Sequence, residues 1–294
     1  MKRNLFGGKR MSVLFCDSNC ELWFTTLREL PLELIKMPYT IEGKEYFYDM
    51  GEATDFEGYY KLMRNKAKAI TSALNTYDYI EYFEPWFKKG EDILYISFSH
   101  KLSSTFESMQ NAVSELLEKY PERKFEVFDT KSISVGAGLL VYYAGVLKRD
   151  GASDEEIVEK LSALRQKLNV YFAVDDLNHL KRGGRLSGVA AFAGTLLNLK
   201  PVLTVDEEGA LKPVAKVKGR KLVMNYFMEK LRSENVDDEK IAFVVGADCK
   251  EDVEELSERI SKEYPKLKIV KQIVGPVIAT HCGPGTLGLI FVSK

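Results

Sequence analysis

Short apolar runs closed by polar turns alternate with stretches of helical spacing in the first half of the chain. Ser12 to Cys16 (SVLFC) runs into Asp17-Ser18-Asn19, and Ile93 to Ser97 and Phe125 to Asp129 have the same character; each predicts a short buried strand. Thr105 to Tyr120 places Met109, Val113, Leu116 and Leu117 at helical intervals, with Ser104-Thr-Phe-Glu107 predicting a capping box. A second capping box, Ser153-Asp-Glu-Glu156, opens a helix whose apolar face is Ile157, Leu161, Leu164 and Leu168. Strands alternating with helices predict a parallel sheet covered on both faces. Leu30 to Tyr60 departs from this rhythm: Pro31, Pro38, Gly43 and the aromatic cluster at 46–48 predict a small irregular β insertion.

Beyond about Leu168 the pattern changes. Pro201 to Val205, a turn at 206–209 and Leu211 to Val217 predict an antiparallel hairpin. A helix through Leu222, Phe227 and Leu231 follows, then a strand at Ile241 to Val245 and a helix with Val253, Leu256 and Ile260. Apolar strands near Ile269 to Ile273 and Leu289 to Val292 complete the set. The fold expected is α/β: a doubly wound N-terminal domain over residues 1–168 and an α+β C-terminal domain over 169–294.

With 294 residues, 45% of them hydrophobic, the chain can bury a large core without cross-links. Its 42 basic and 43 acidic side chains leave a net charge of −1, so neither a nucleic-acid footprint nor a polybasic membrane anchor is expected. The four cysteines form no CxxC pair and only three histidines are present, which predicts no disulfide framework and no metal site. The apolar run at Met11 to Phe15 is too short for a signal peptide, and no segment reaches the roughly 20 apolar residues of a membrane span. A cytoplasmic protein is the expectation.

Most catalytic motifs fail. Gly283-Pro-Gly285-Thr-Leu-Gly288 matches G-x-G-x-x-G, but only six residues follow it, too few for a dinucleotide-binding unit. A Walker A sequence, a G-x-S-x-G elbow and H-E-x-x-H are all missing. What survives is a crowd of hydroxyls: Ser97, Ser99, Ser103, Ser104 and Thr105 at a strand-to-helix junction suited to a carboxylate or phosphate, or simply a capped helix in a solvated loop. Thr71-Ser72 reads by itself as an N-cap, His281 as a structural histidine, and Lys181-Arg182-Gly-Gly-Arg185 as a solvated turn or an anion partner. Residues 187–199 (SGVAAFAGTLLNL) are apolar nearly all round, either as core or as the wall of an elongated apolar ligand's site.

Taken together and in order, these segments resemble the DegV family of bacterial fatty-acid-binding proteins. The resemblance is carried by CDSNCEL (16–22), LPLELIKMPYTIEGKEY (30–46), ISFSHKLSSTFES (96–108) and FDTKSISVGAGLLV (128–141). It continues through LNHLKRGGRLSGVAAFAGTLLNLKPVLTVDEEGALKPVAKVKGRK (177–221) and GPVIATHCGPGTLGLIF (275–291), so nearly the whole chain is covered. It implies one long-chain fatty acid in a tunnel between two domains, with no other cofactor, and a separate fatty acid kinase as partner that converts the carboxyl group to an acyl phosphate. By position, Thr71, Ser72, the Ser103 hydroxyl, the Ser104 N–H and His281 would hold the carboxylate. Arg185 and Arg220 would balance acyl-phosphate charge or meet the partner, and Phe192 and Leu196 would line the tunnel. The chain departs from the family where Thr-Ser-Gln-Pro becomes Thr71-Ser72-Ala73-Leu74 and where the LSGT glycine is Ser104. Two other readings stay open on the residues alone: an enzyme acting on a small carboxylate or phosphate at the same hydroxyls, and a lipid-sensing regulatory module.

Overall fold

The protein is described by a computed structural model that covers residues 12–185 and 199–294. The segment at 186–198, with Phe192 and Leu196, lies outside the described residues.

The predicted strands of the first half form one parallel sheet. Strand β1 (Val13–Asp17) pairs on one side with β2 (Leu32–Ile35). On the other side lies β6 (Ile93–Ser97), which in turn pairs with β7 (Phe125–Asp129). Both faces are covered. Helix α3 (Thr76–Lys88) sets Phe83 against Phe15, Tyr95 and Phe125, while helix α6 (Asp154–Gln166) lays Arg165 over the Phe128 ring on the opposite face. Such double coverage explains why these strands read as nearly unbroken apolar runs.

The proline-dense stretch divides between two sheets. Its first strand, β2, is the edge of the parallel sheet rather than part of an insertion. Strands β3 (Pro38–Ile41) and β4 (Lys44–Phe47) form a hairpin that pairs with β5 (Ala69–Thr71) in a small antiparallel sheet. Tyr59 and Tyr60 belong to helix α2 (Phe56–Arg64), the second helix after the short α1 (Phe24–Arg28). Pro31 and Pro38 sit just before a strand and at the first residue of one, the positions where a missing N–H is tolerated.

Helix α4 (Thr105–Lys119) buries Met109, Ala112 and Leu116. Its predicted capping box does not form. Ser104 adopts helical backbone angles, so its side chain makes no capping bond, and the Ser103 hydroxyl accepts from the Thr105 N–H instead, at 3.4 Å. The box at Ser153 does form, with Ser153 and Glu156 exchanging both bonds. Leu168 is not on that helix: it opens strand β8 (Leu168–Ala173).

Helix α5 (Ser134–Arg149) is buried on nearly every side, which is why periodicity does not announce it. It packs on the 3-10 turn Ser18–Cys20 through Gly138, where a side chain would press into the Cys20 carbonyl oxygen. Gly138→Ala should destabilise the protein by about 2 kcal/mol, a backbone clash of up to ~3 less the ~1 that alanine returns in a helix. Chemical denaturation tests this; stability equal to the parent's would mean that helix and turn can separate freely.

The second sheet has six strands in the order β10-β9-β8-β13-β11-β12. These are β9 (Leu199–Val205), β10 (Leu211–Lys218), β11 (Ile241–Gly246), β12 (Lys268–Ile273) and β13 (Leu287–Val292), together with β8. Pairing is antiparallel except between β11 and β12. Side chains alternate between faces. Tyr171, Val244, Leu289 and Phe291 join a core with helices α8 (Arg220–Ser233) and α9 (Lys250–Glu263), while Phe172, Val245 and Ile290 join the core of the first half. Helices α7 (Asn178–Arg182) and α10 (Pro276–Cys282) complete the described elements.

Candidate functional site

A cavity enclosing about 1160 Å³ of atom-free space, its opening included, lies on the inner face of the six-stranded sheet. Alternation dictates its walls: Val170 and Phe172 from β8, Val245 from β11 and Gly288 and Ile290 from β13 all point the same way. Helix α10 adds Val277, Ile278 and Cys282, and the first half contributes Met37, Phe98, Leu102 and Ile133. Phe172, Val245, Val277, Cys282 and Ile290 are buried there, an apolar wall against which an extended hydrocarbon gains from leaving water.

The more exposed lining residues are mostly polar. Thr71, Ser72, Ser103, Ser104, His281 and Arg185 all line the cavity. Thr71 is the last residue of β5, not a helix cap; that task falls to Asn75, which forms a capping box with Asp78. Its strand position lets the Thr71 hydroxyl meet His281 Nε2 at 2.8 Å. Ser103 lies 3.1 Å from the Thr105 hydroxyl, ahead of the N-terminus of α4, and the dipole of that helix favours an anion.

His281 is held neutral. Burial, then the positive charge of Arg185, pushes its pKa down to about 4. Its Nδ1 is buried, finds no partner among the described residues and packs on Gly183, where any side chain would collide with the ring. A bare lone pair is the less costly group to leave unpaired, so we assign the ring proton to Nε2, donating to Thr71 Oγ1. The Thr71 O–H then remains available to an acceptor in the cavity.

Arg185 is the one permanent cation among the described lining residues. Its Nε donates to the Leu102 carbonyl at 3.0 Å and its Nη1 to the Gly183 carbonyl, which turns the guanidinium toward the hydroxyl cluster's loop. Arg220 is elsewhere. It does not line the cavity but starts α8, paired with Asp175 at 3.1 Å and Asp252 at 2.9 Å, with one buried nitrogen unpartnered among the described residues.

Asn19, Ser134 and Thr286 also line the cavity and escaped the reading of isolated motifs. Asn19 and Ser134 lie inside the quoted CDSNCEL and FDTKSIS segments, so the signal was present without a way to aim it. The Asp17 carboxylate beside Asn19 is fully buried, its pKa raised by burial, and accepts from the Tyr95 hydroxyl at 2.7 Å and the N–H groups of Phe98 and Asn19. It ties the loop after β6 to the turn after β1.

Among the described residues no group of three or more His, Cys, Asp or Glu side chains is placed to hold a metal ion. All four cysteines are free and buried. No helix among them is long and apolar enough to cross a membrane.

These features define a class: an α/β protein with a largely apolar cavity on the inner face of its six-stranded sheet, edged by hydroxyls, a histidine and a guanidinium. The chain belongs to the DegV family: the sequence model described as "Uncharacterised protein, DegV family" matches residues 12–294. A DegV domain-containing protein of Clostridium perfringens is 38% identical over 281 residues, covering 95% of this chain and 97% of that one. The solved structure of a DegV family protein from Thermus thermophilus, described as fatty-acid binding, superposes with a TM-score of 0.85 at 30% identity, covering 97% and 100% of the two chains. That of a stearic-acid-binding protein from Eubacterium ventriosum gives 0.84 at 26% identity, covering 97% and 99%.

Proposed function

We propose that this protein binds one long-chain fatty acid, its hydrocarbon in the cavity between the two sheets and its carboxylate at the polar end. The observation that carries the reading is the division of the cavity's lining: Phe172, Val245, Val277 and Ile290 buried, and Thr71, Ser103, His281 and Arg185 more exposed. Burying about 14 to 16 methylenes at ~0.8 kcal/mol each yields roughly 12 kcal/mol before ordering costs. A carboxylate cannot follow unpaired into such surroundings. Hydroxyls, a helix N-terminus and a guanidinium meet it at the boundary. The fatty acids named for the Thermus and Eubacterium ventriosum relatives support the same ligand class.

In this reading the carboxylate is the reactive group, and it is offered to a separate fatty acid kinase that forms the acyl phosphate. The sequence lacks a phosphate loop of its own, consistent with a carrier that leaves ATP binding to its partner. In this reading Arg185, which lines the cavity, balances added phosphate charge, and Arg220 only holds the start of α8. The apolar depth of the cavity favours the carrier over an enzyme acting on a small polar carboxylate.

Native mass spectrometry of the purified protein, followed by denaturation and lipid extraction, tests this. One added mass per chain that is released as a long-chain fatty acid is the expected outcome. Protein that carries no lipid and takes up none when fatty acids are supplied would overturn it.

A further inference from the structure

Glu21 is a carboxylic acid sealed in the interior, 1% exposed, between the two walls of the cavity. Its Oε1 accepts the N–H of Gly275, the residue that caps α10; its Oε2 is bonded to the hydroxyl of Ser134, which begins α5. Its backbone carbonyl accepts the side-chain amide of Gln272. Ser134 lines the cavity, and so do Val277, Ile278, His281 and Cys282 of α10. One side chain thus joins a wall contributed by the first half to the helix that carries His281. The backbones at Glu21 and Ser134 both lie in the left-handed region, with φ of 52° and 49°. Side-chain-bearing residues stay there only where surrounding contacts over-determine the geometry.

Among the described residues no lysine, arginine or histidine is paired with the acid. The titratable groups that face it are Tyr48 after β4, Tyr60 of α2 and Cys282 of α10, beside its neighbour Cys20. Burial drives the two tyrosines well above their ordinary range and the Cys282 thiol up to about 12, so these three neighbours are neutral. Burial likewise pushes the Glu21 carboxyl up to about 8, against the opposing pull of the Ser134 hydroxyl and the Gly275 N–H. Meanwhile Tyr60 donates to the Val274 carbonyl and Tyr59 to the Pro276 carbonyl, at 3.0 Å, so the start of α10 is gripped through its carbonyls by α2 and through its N–H by Glu21.

We propose that Glu21 is a positioning residue that clamps the start of α10 to the start of α5 while the wall is closed, and that its ionisation favours an opened wall in which the carboxylate meets water, which speeds exchange of the cavity's ligand. The proposal takes its ligand from the fatty-acid reading above; the clamp itself does not depend on it. If exchange passes through an opened state in which the carboxyl meets water, opening is linked to loss of the proton. The exchange rate should then rise by up to about tenfold per pH unit below about pH 8 and level off above it.

The experiment follows release of a fluorescent long-chain fatty acid from about pH 6 to 9, a window above the titration of His281. Wild type should show the rise and plateau. Glu21→Gln, which keeps an acceptor for Gly275 and a donor for Ser134, should hold the slow low-pH rate throughout. Parallel profiles for wild type and Glu21→Gln would overturn the clamp. Glu21→Ala should release quickly at every pH, and the comparison with Glu21→Gln decides the matter even where Glu21→Ala does not fold. Denaturation of lipid-free protein over the same range separates this proposal from the fatty-acid reading. Should wild type bind no fatty acid, a stability advantage of Glu21→Gln that grows as pH rises toward about 8 and levels off above it still supports the clamp. A difference independent of pH overturns it.

Discussion

A Ser103→Ala, Arg185→Ala double variant should bind a long-chain fatty acid about 100-fold more weakly than the parent, yet bind the methyl ester of the same acid almost equally well. Hydrogen bonds to a charged group contribute about 1.5–3 kcal/mol each, so the lower end for two of them lost together already corresponds to about that factor. Ser103 supplies a hydroxyl ahead of the N-terminus of α4, and Arg185 the permanent positive charge. Removing Arg185 also frees the Leu102 and Gly183 carbonyls, so some loosening of the loop is expected. Loosening would weaken acid and ester alike, whereas lost charge recognition weakens only the acid. Competition against a fluorescent acyl probe measures both affinities. Equal losses for acid and ester would place the carboxylate elsewhere.

The second large effect is on acid stability. A histidine with a pKa near 6.5 when unfolded and about 4 when folded binds its proton more readily in the unfolded chain. Its contribution is fully present above about pH 6.5 and is lost as pH falls through 6.5 toward 4, by up to ~3 kcal/mol. The parent should therefore lose more stability over that interval than His281→Gln, whose amide can still reach Thr71 and has no proton to take up. Glu21 acts in the opposite direction: its stabilising effect is present below its unfolded pKa and is lost as pH rises through about 8. Comparing parent and variant at each pH removes that shared background. Identical acid limbs in denaturant titrations would mean that His281 is hydrated rather than buried.

Much of the fold was legible because the hydrophobic pattern reports directly on which faces are covered. The runs at 93–97 and 125–129 became strands with those bounds, and the run at 12–16 became one shifted by a single residue. Ser153 and Glu156 formed the box their spacing implied. Misreadings fell where local signals compete. Ser104 has the right residues for a capping box but helical backbone angles that leave its side chain without a capping bond. Leu168 continues the helical spacing of α6, yet pairing with Val292 of β13 makes it a strand residue. Helix α5 carries apolar residues all round because the six-stranded sheet, the parallel sheet and the 3-10 turn surround it, so no face stands out.

The site divides in the same way. Its ingredients lie in the quoted segments, and the resemblance to a known family ordered them without any measured distance. Residues that are 210 apart in sequence cannot declare a hydrogen bond, so the meeting of Thr71 with His281 depended on β5 and α10 being packed together. Arg185 and Arg220 are indistinguishable as basic residues near glycines; only the tertiary structure lines the cavity with one and encloses the other between Asp175 and Asp252. Glu21 is the sharpest case. In sequence it is an ordinary acid after a turn, and nothing local marks it as buried. Its raised pKa arises from the water that burial removes, against the opposing hydrogen bonds from the two helix starts it joins. Periodicity and composition settled which faces would be buried, because burial of apolar surface is a property of each segment. Which polar groups would share that interior was decided by the packing of distant segments, because desolvation and hydrogen bonding act between residues the chain itself keeps apart.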